Sequence, residues 1–362
     1  MKKRLAAALL TAVFCVTGLA ACGGTGTDAK QEAGQDSEGS GDSENAGGSK
    51  EGASYKIGIV QFVDDASLNQ IEKALEKGLD AKGEELGVTF VYDGYVSNGQ
   101  ADATVLNQIG ADLVADDVDA VIAIATPAAQ VMQAAVEDTD IPLIFSAVTD
   151  PVTAGLVEDL NEPGVNITGT SDALDTNAVF DLMFAASPDI KSVGLLYSKS
   201  EDASTRAIEE AKEYCKNKGV EVIEKTGTTN DEVSLGADAL IAAGVDAVFT
   251  PTDNTVMKAE LAIYEKFIDA KIPHYTGADS FALNGAFLGY GVNYEELGTA
   301  TAQMAAEIVA GGADPAKTAV QMLDNGIATV NIETAEKIGL DYSMFSGMCE
   351  TVKEITTAEE FE

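Results

Sequence analysis

Val118-Asp119-Ala120-Val121, continuing through Ile122-Ala123-Ile124-Ala125 to Thr126-Pro127, returns 127 residues later as Val245-Asp246-Ala247-Val248, which runs through Phe249 to Thr250-Pro251. Each copy is a short apolar run ending at Thr-Pro, the pattern of a buried strand giving on to a helix that tolerates proline in its first turn. Working outward, Gly87-Val88 recurs as Gly219-Val220, and Ile57-Gly58-Ile59-Val60 recurs as Val193-Gly194-Leu195-Leu196. The order is preserved and the offset drifts little, so the chain carries a duplicated βα unit and two similar lobes in tandem.

Between these markers, strands and helices alternate. Lys56 to Gln61 is a compact apolar run, and Leu68 to Leu86 is amphipathic with Ile71, Leu75 and Leu79 on one face. Further strands are expected at 88–92, 120–124 and 142–145, with helices over 101–116 and from Ala128. Continuous apolar runs of this kind indicate parallel strands covered on both faces. The expected fold is therefore α/β, with two doubly wound parallel-sheet lobes. After the second lobe come a strand over Phe287–Gly291, a helix over Tyr294–Ala310 and a strand over Ile327–Ile332. This tail is expected to cross back and return, which makes a three-segment hinge near Asn166–Gly169, Gly277–Asp279 and Asp314–Thr318. The lobes then comprise residues 55–165 with about 280–314, and 166–279 with about 315–362. Ligands in open α/β sheets sit beyond the carboxyl ends of the strands, so facing lobes enclose a cleft.

Lys2, Lys3 and Arg4 precede an apolar run from Leu5 to Ala21, the pattern of an export signal over residues 1–21. Leu19-Ala20-Ala21-Cys22 resembles the bacterial lipobox, which implies cleavage before Cys22 and its acylation. Gly23 to Ser54 has no aromatic residue and no Val, Ile, Leu or Met, so residues 22–54 read as a lipidated, disordered tether. With 60 acidic against 22 basic residues the formal charge is −38, which makes nucleic acid and anionic lipid surfaces poor partners. Beyond Cys15 and Cys22 only Cys215 and Cys349 remain, without the paired spacing of a zinc site, and no metal or cofactor is expected. Cys215 follows Ile208 and Ala211 at helical spacing and reads as a buried thiol.

A lipoprotein signal ahead of two βα lobes resembles a substrate-binding lipoprotein of an ABC importer. The strings Ile59-Val60-Gln61, Ala123 to Gln130, Ala147 to Pro151, Asn166 to Asp172 and Pro251 to Thr255 resemble, in order, the tryptophan/tyrosine-binding protein family. That resemblance implies a type I periplasmic-binding fold, an aromatic or hydrophobic amino acid as ligand, an ABC permease as partner, and a site on the outer face of a bacterial membrane. The family's loop after the first strand often carries an acidic-His-Pro sequence. Here it is Asp64-Asp65-Ala66, so Asp65 changes the charge wherever that histidine would touch ligand.

An amino acid brings a carboxylate, an ammonium and a side chain. Arg206 is the only arginine after Arg4 and lies in a helical pattern well past a strand end, a surface position. The carboxylate then falls to helix N-termini, whose free N–H groups and dipole favour negative charge. Thr126, Pro127 and Ala128 open such a helix, and Ser146, Thr149 and Asp150 close the next strand. Asp253, beside Asn254, and Asp279 stand past strands of the second lobe as candidates for the ammonium, although each also suits an N-cap. Phe62, Tyr197 and Phe281 are candidate aromatic walls. Enzyme chemistry finds no catalytic set: His274 is the only histidine and sits inside a strand pattern, and no nucleophile elbow, Walker sequence or His-Glu-x-x-His helix is present. A sugar or nucleoside carrier, or a sensor presenting ligand to a signalling partner, shares this fold and remains the alternative.

Overall fold

The computed structural model describes residues 52–361, so the signal, Cys22 and most of the tether lie outside the described residues. The described residues form one compact unit. Its first half contains β1 (Ser54–Gln61), α1 (Ala66–Leu86), β2 (Thr89–Val91), β3 (Val96–Asn98), α2 (Ala103–Ala115), β4 (Ala120–Ile124), α3 (Thr126–Val136), β5 (Leu143–Ser146) and β6 (Ile167–Ser171). Then follow α4 (Thr176–Ala186), β7 (Ser192–Tyr197), α5 (Asp202–Lys218), β8 (Glu221–Thr226), α6 (Asn230–Ala243), β9 (Ala247–Thr250), α7 (Asn254–Met257), α8 (Glu260–Ala270), β10 (His274–Thr276), α9 (Asp279–Leu283) and β11 (Leu288–Gly291). The tail supplies α10 (Tyr294–Val309), β12 (Gln321–Met322), β13 (Ile327–Asn331), α11 (Ile332–Ile338) and β14 (Thr351–Ile355).

Two sheets result. The first runs β12-β6-β5-β4-β1-β2 with β3 also on β1, and the second runs β14-β13-β11-β10-β9-β7-β8. All residues of β4, β5 and β9 are buried, which is why these strands read as unbroken apolar runs. The second sheet is not wholly parallel, because β13 returns antiparallel to β11, Leu288 facing Val330 and Gly291 facing Ile327.

Helix α10 packs on α1 in the first lobe through small residues. A Cβ on Gly78 would lie 2.6 Å from Ala302 Cβ, and one on Gly298 would lie 2.4 Å from the Ile71 carbonyl. This close approach fixes where the returning chain lands.

Strand pairing shifts every lobe boundary from the sequence expectation. Residues 166–169 enter β6, which pairs with β5, so the first crossover comes after Ser171. Gly277–Asp279 leads from β10 into α9, and β11 still pairs with β10, so the second crossover is at 292–293 rather than near 280. Asp314–Thr318 belongs to the first lobe, where Thr168 Oγ1 donates to the Thr318 carbonyl and β12 pairs with β6; the third crossover is therefore at 323–326. The three crossovers lie side by side: Asn325 Nδ2 donates to the Ala173 carbonyl (2.6 Å), the Asp175 amide to Asn325 Oδ1 (3.2 Å), and the Gly326 amide to the Gly291 carbonyl (3.2 Å).

Candidate functional site

The carboxyl ends of both sheets meet at a small closed cavity. Ser67 and Leu68 of α1, Ala125 and Thr126 at the start of α3, Ala147 and Thr149 after β5, and Asp172 of the first crossover line it from one side. Ala203, Thr252, Asn254, Met257 and Tyr294 complete the lining. Its volume is about 20 Å³, room for roughly one water. Admission of a larger molecule therefore requires the lobes to part.

The lobes are clasped by direct hydrogen bonds. Ser67 Oγ donates to Asp279 Oδ1 (2.6 Å) and Gln70 Nε2 to Asp279 Oδ2 (3.2 Å). Thr149 Oγ1 meets Thr252 Oγ1 at 3.0 Å, and Gln130 Nε2 donates to Asp202 Oδ2 (2.7 Å). The C-terminal strand end adds a strap: Asn284 Nδ2 holds the Ala358 carbonyl on the second lobe, while Glu360 accepts from Asn69 of α1 and pairs with Lys73.

Two features of the lining suit a charged group. Thr126 is buried, and its Oγ1 has no hydrogen-bond partner. It opens α3, whose start has no side-chain cap and follows Ala125 held at φ 79. Ala147, also in the lining, has φ 55. Two alanines in the left-handed region are strain of the kind concentrated at binding sites, where surrounding structure holds it in place. Opposite charge is offered by Asp172, 6 % exposed, whose Oδ1 accepts from Thr149 Oγ1 at 3.0 Å. Burial raises its carboxyl to about 6, opposed by the Thr149 hydrogen bond. Tyr294 stands nearby, its phenol held well above the ordinary value by burial and then by Asp172, Asp279 and Asp65. Leu68, Met257 and the three alanines supply apolar wall.

The residues expected from sequence fall into three groups. Thr126, Thr149 and Asn254 line the cavity, with Pro127 and Ala128 in the first turn of α3 behind Thr126. Asp65 and Asp279 lie at the seam between the lobes, Asp65 as N-cap of α1 accepting from the Ser67 and Leu68 amides. The rest are occupied elsewhere. Asp253 is fully buried and accepts from the Ser198 amide (2.6 Å), Ser204 Oγ (2.7 Å) and the Val256 amide (3.0 Å), so its lone pairs cap α7 and tie it to the end of β7 and to α5. Gln61 Nε2 donates to the Val63 carbonyl and Asn69, Ser146 Oγ bonds Thr301, and Asp150 accepts from Thr153. Tyr197 OH donates to Glu224 and Phe281 is packed in the core, so neither is in the lining, nor is Phe62. Arg206 is exposed and pairs with Glu210, and His274 is buried between Glu260 and Thr250. Glu201 beside Asp253 is pushed up by burial and then by that neighbour; it accepts from Asn254 Nδ2 and orients its amide. Asp172, Ser67, Thr252, Met257 and Tyr294 were not singled out by sequence. Asp172 had a signal, since it is the first residue past a strand of the first lobe.

The chain is similar to proteins that have been characterised. A tyrosine-binding protein of Clostridioides difficile is 34% identical over 255 residues, covering 70% of this chain and 72% of that protein. The ABC domain from Streptococcus pneumoniae solved in complex with L-Trp is 32% identical with a TM-score of 0.76, over 83% of this chain and 99% of that one. The ligand-free, open structure of a substrate-binding protein with adhesive properties from Clostridium difficile is 31% identical, yet its TM-score is 0.63, over 84% of this chain and all of that one. Near-equal identity with a lower score against the open form agrees with the clasped lobes described above. The model of the ABC transporter substrate binding protein family matches residues 56–344, and the chain belongs to that family.

Proposed function

We propose that the cleft captures an aromatic amino acid, with tryptophan and tyrosine as the leading ligands, and presents it to an ABC permease. The observation that carries this reading is the pairing, on one small cavity, of a buried carboxylate at Asp172 with an uncapped helix start and the unpartnered Thr126 hydroxyl. Asp172 suits an α-ammonium, and the start of α3 suits an α-carboxylate without an arginine. Leu68, Met257 and Tyr294 receive the side chain. The names of two relatives, a tyrosine-binding protein and an L-Trp complex, support the aromatic class.

Capture follows from differential affinity. A ligand touching both lobes favours closure around itself by the contacts it gains there, with the lobes set wider than the cavity of about 20 Å³ allows, and the closed surface is what a permease reads. Leu19 to Cys22 supports a lipid anchor that keeps the binding unit at the outer face of the membrane. A thermal-shift screen of the chain from Gly47 against amino acids, sugars and nucleosides tests the reading, because stabilisation grows with ligand concentration over Kd. Shifts with tryptophan or tyrosine are expected; shifts with sugars or nucleosides alone would overturn it.

A further inference from the structure

The seam beside the cavity holds two carboxyl groups, one from each lobe, on opposite sides of a single residue. The Ser67 amide donates to Asp65 Oδ1 (2.9 Å), while the Ser67 hydroxyl donates to Asp279 Oδ1 (2.6 Å) and accepts from the Ser280 amide (3.1 Å). Asp65 belongs to the first lobe and Asp279 to the second, so this juxtaposition exists only when the lobes are closed. We propose that closure of the lobes is linked to proton uptake at the Asp65–Asp279 pair, so that the clasped form is favoured in acidic medium and loosens as the medium approaches neutrality.

The charged and titratable surroundings do not relieve the pair. Asp279 on α9 and the phenol of Tyr294 on α10 face Asp65, and Asp172 of the first crossover acts on the same phenol. Lys353 on β14 is the cation acting on Asp279, and it acts together with hydrogen bonds from Ser67 and Gln70. Even so, burial raises Asp279. Asp65 is raised to about 7, first by burial, with Asp279 adding to the rise; the Ser280 side chain and then the Leu68 and Ser67 amides oppose it. Asp64 is exposed and turned to Asn69, and Glu360 is occupied by Asn69 and Lys73.

The sign follows directly. Opening returns Asp65 toward water and separates it from Asp279, which lowers its pKa toward the ordinary range. The closed form therefore binds more protons than the open form between the two values. Closed population is highest below the open-state value and falls, by up to tenfold per pH unit in the closed-to-open ratio, as pH rises toward about 7. The Glu201–Asp253 pair lies wholly within the second lobe, at the starts of α5 and α7, and does not distinguish open from closed.

Fluorescence energy transfer between dyes on Gln108→Cys in α2 and Glu209→Cys in α5, with Cys349→Ser, reads interlobe distance without any ligand. The chain from Gly47 is used, so the outcome is independent of which ligand the cleft takes. The unsubstituted seam is expected to lose transfer efficiency as pH rises from about 4.5 to about 7.5, with most of the loss below about 7. Asp65→Asn, which keeps a good N-cap, is expected to stay closed over that range. Asp279→Asn serves as a second variant with the same expectation. A seam whose efficiency is flat with pH, or an Asp65→Asn variant with the same pH dependence as the parent, would overturn the proposal.

Discussion

Asp172→Asn is the perturbation that separates a ligand contact from a structural carboxylate, because it moves stability and affinity in opposite directions. The amide retains an acceptor for Thr149 Oγ1, so the 3.0 Å bond survives. What it removes is a buried negative charge. Burial raises the carboxyl from 3.8 to about 6, equivalent to about 3 kcal/mol as an upper bound on the cost of keeping it ionised at pH 7. The folded-state value lies above the unfolded one, so the group's favourable contribution is present in acid and lost as pH rises through about 6. At pH 7 the unliganded variant is therefore expected to melt a few degrees above the parent, and near pH 4 the difference should vanish. With an amino acid bound, the same charge becomes half of a buried ion pair. Its loss is expected to cost about 2 to 3 kcal/mol, a roughly 30- to 150-fold rise in Kd for L-tryptophan or L-tyrosine by calorimetry. A variant that binds within threefold of the parent, with no gain in unliganded melting temperature at pH 7, would refute the assignment.

Three other outcomes follow from the same geometry. Thr126→Val removes an unpartnered hydroxyl, so it should leave the unliganded melting temperature within about a degree while weakening amino-acid binding by roughly tenfold, both readable in one thermal-shift series. Asp253→Ala strips the Ser198 and Val256 amides of their acceptor and should destabilise the unliganded chain by about 1–3 kcal/mol in denaturant titration; a variant that loses ligand without losing stability would restore Asp253 as a direct contact. Truncation after Ala358 removes the strap from Glu360 to α1; the pair with Lys73 is exposed, so ligand release measured by stopped flow should accelerate only about two- to fivefold, with association unchanged.

The duplicated units were legible because a buried parallel strand writes itself as an unbroken apolar run, and both Val-Asp-Ala-Val copies do so as β4 and β9. The crossovers were not legible to the residue, since which sheet a strand joins depends on partners far away. Residues 288–291 pair with β10 and β13, and nothing local in Leu288-Gly289-Tyr290-Gly291 says so. The antiparallel return of β13 was hidden for the same reason. At the site, Thr126 stood out because Thr-Pro after a strand marks a helix start, whereas Asp253 carried an N-cap signal and a ligand signal at once. Only the three donors around its carboxylate decide between them. Asp172 follows a polar strand, Ile167-Thr-Gly-Thr-Ser171, where the chain leaves the lobe, and its hydrogen-bond partner Thr149 comes from a different loop.

Calorimetric titration of the chain from Gly47 with L-tryptophan, L-tyrosine and a panel of sugars and nucleosides at pH 7 tests the central claim most directly. Saturable, one-to-one binding of at least one aromatic amino acid in the micromolar range or tighter, about −8 kcal/mol or more favourable, is the expected result. Saturable binding of a sugar or nucleoside with no heat from either aromatic amino acid would contradict it.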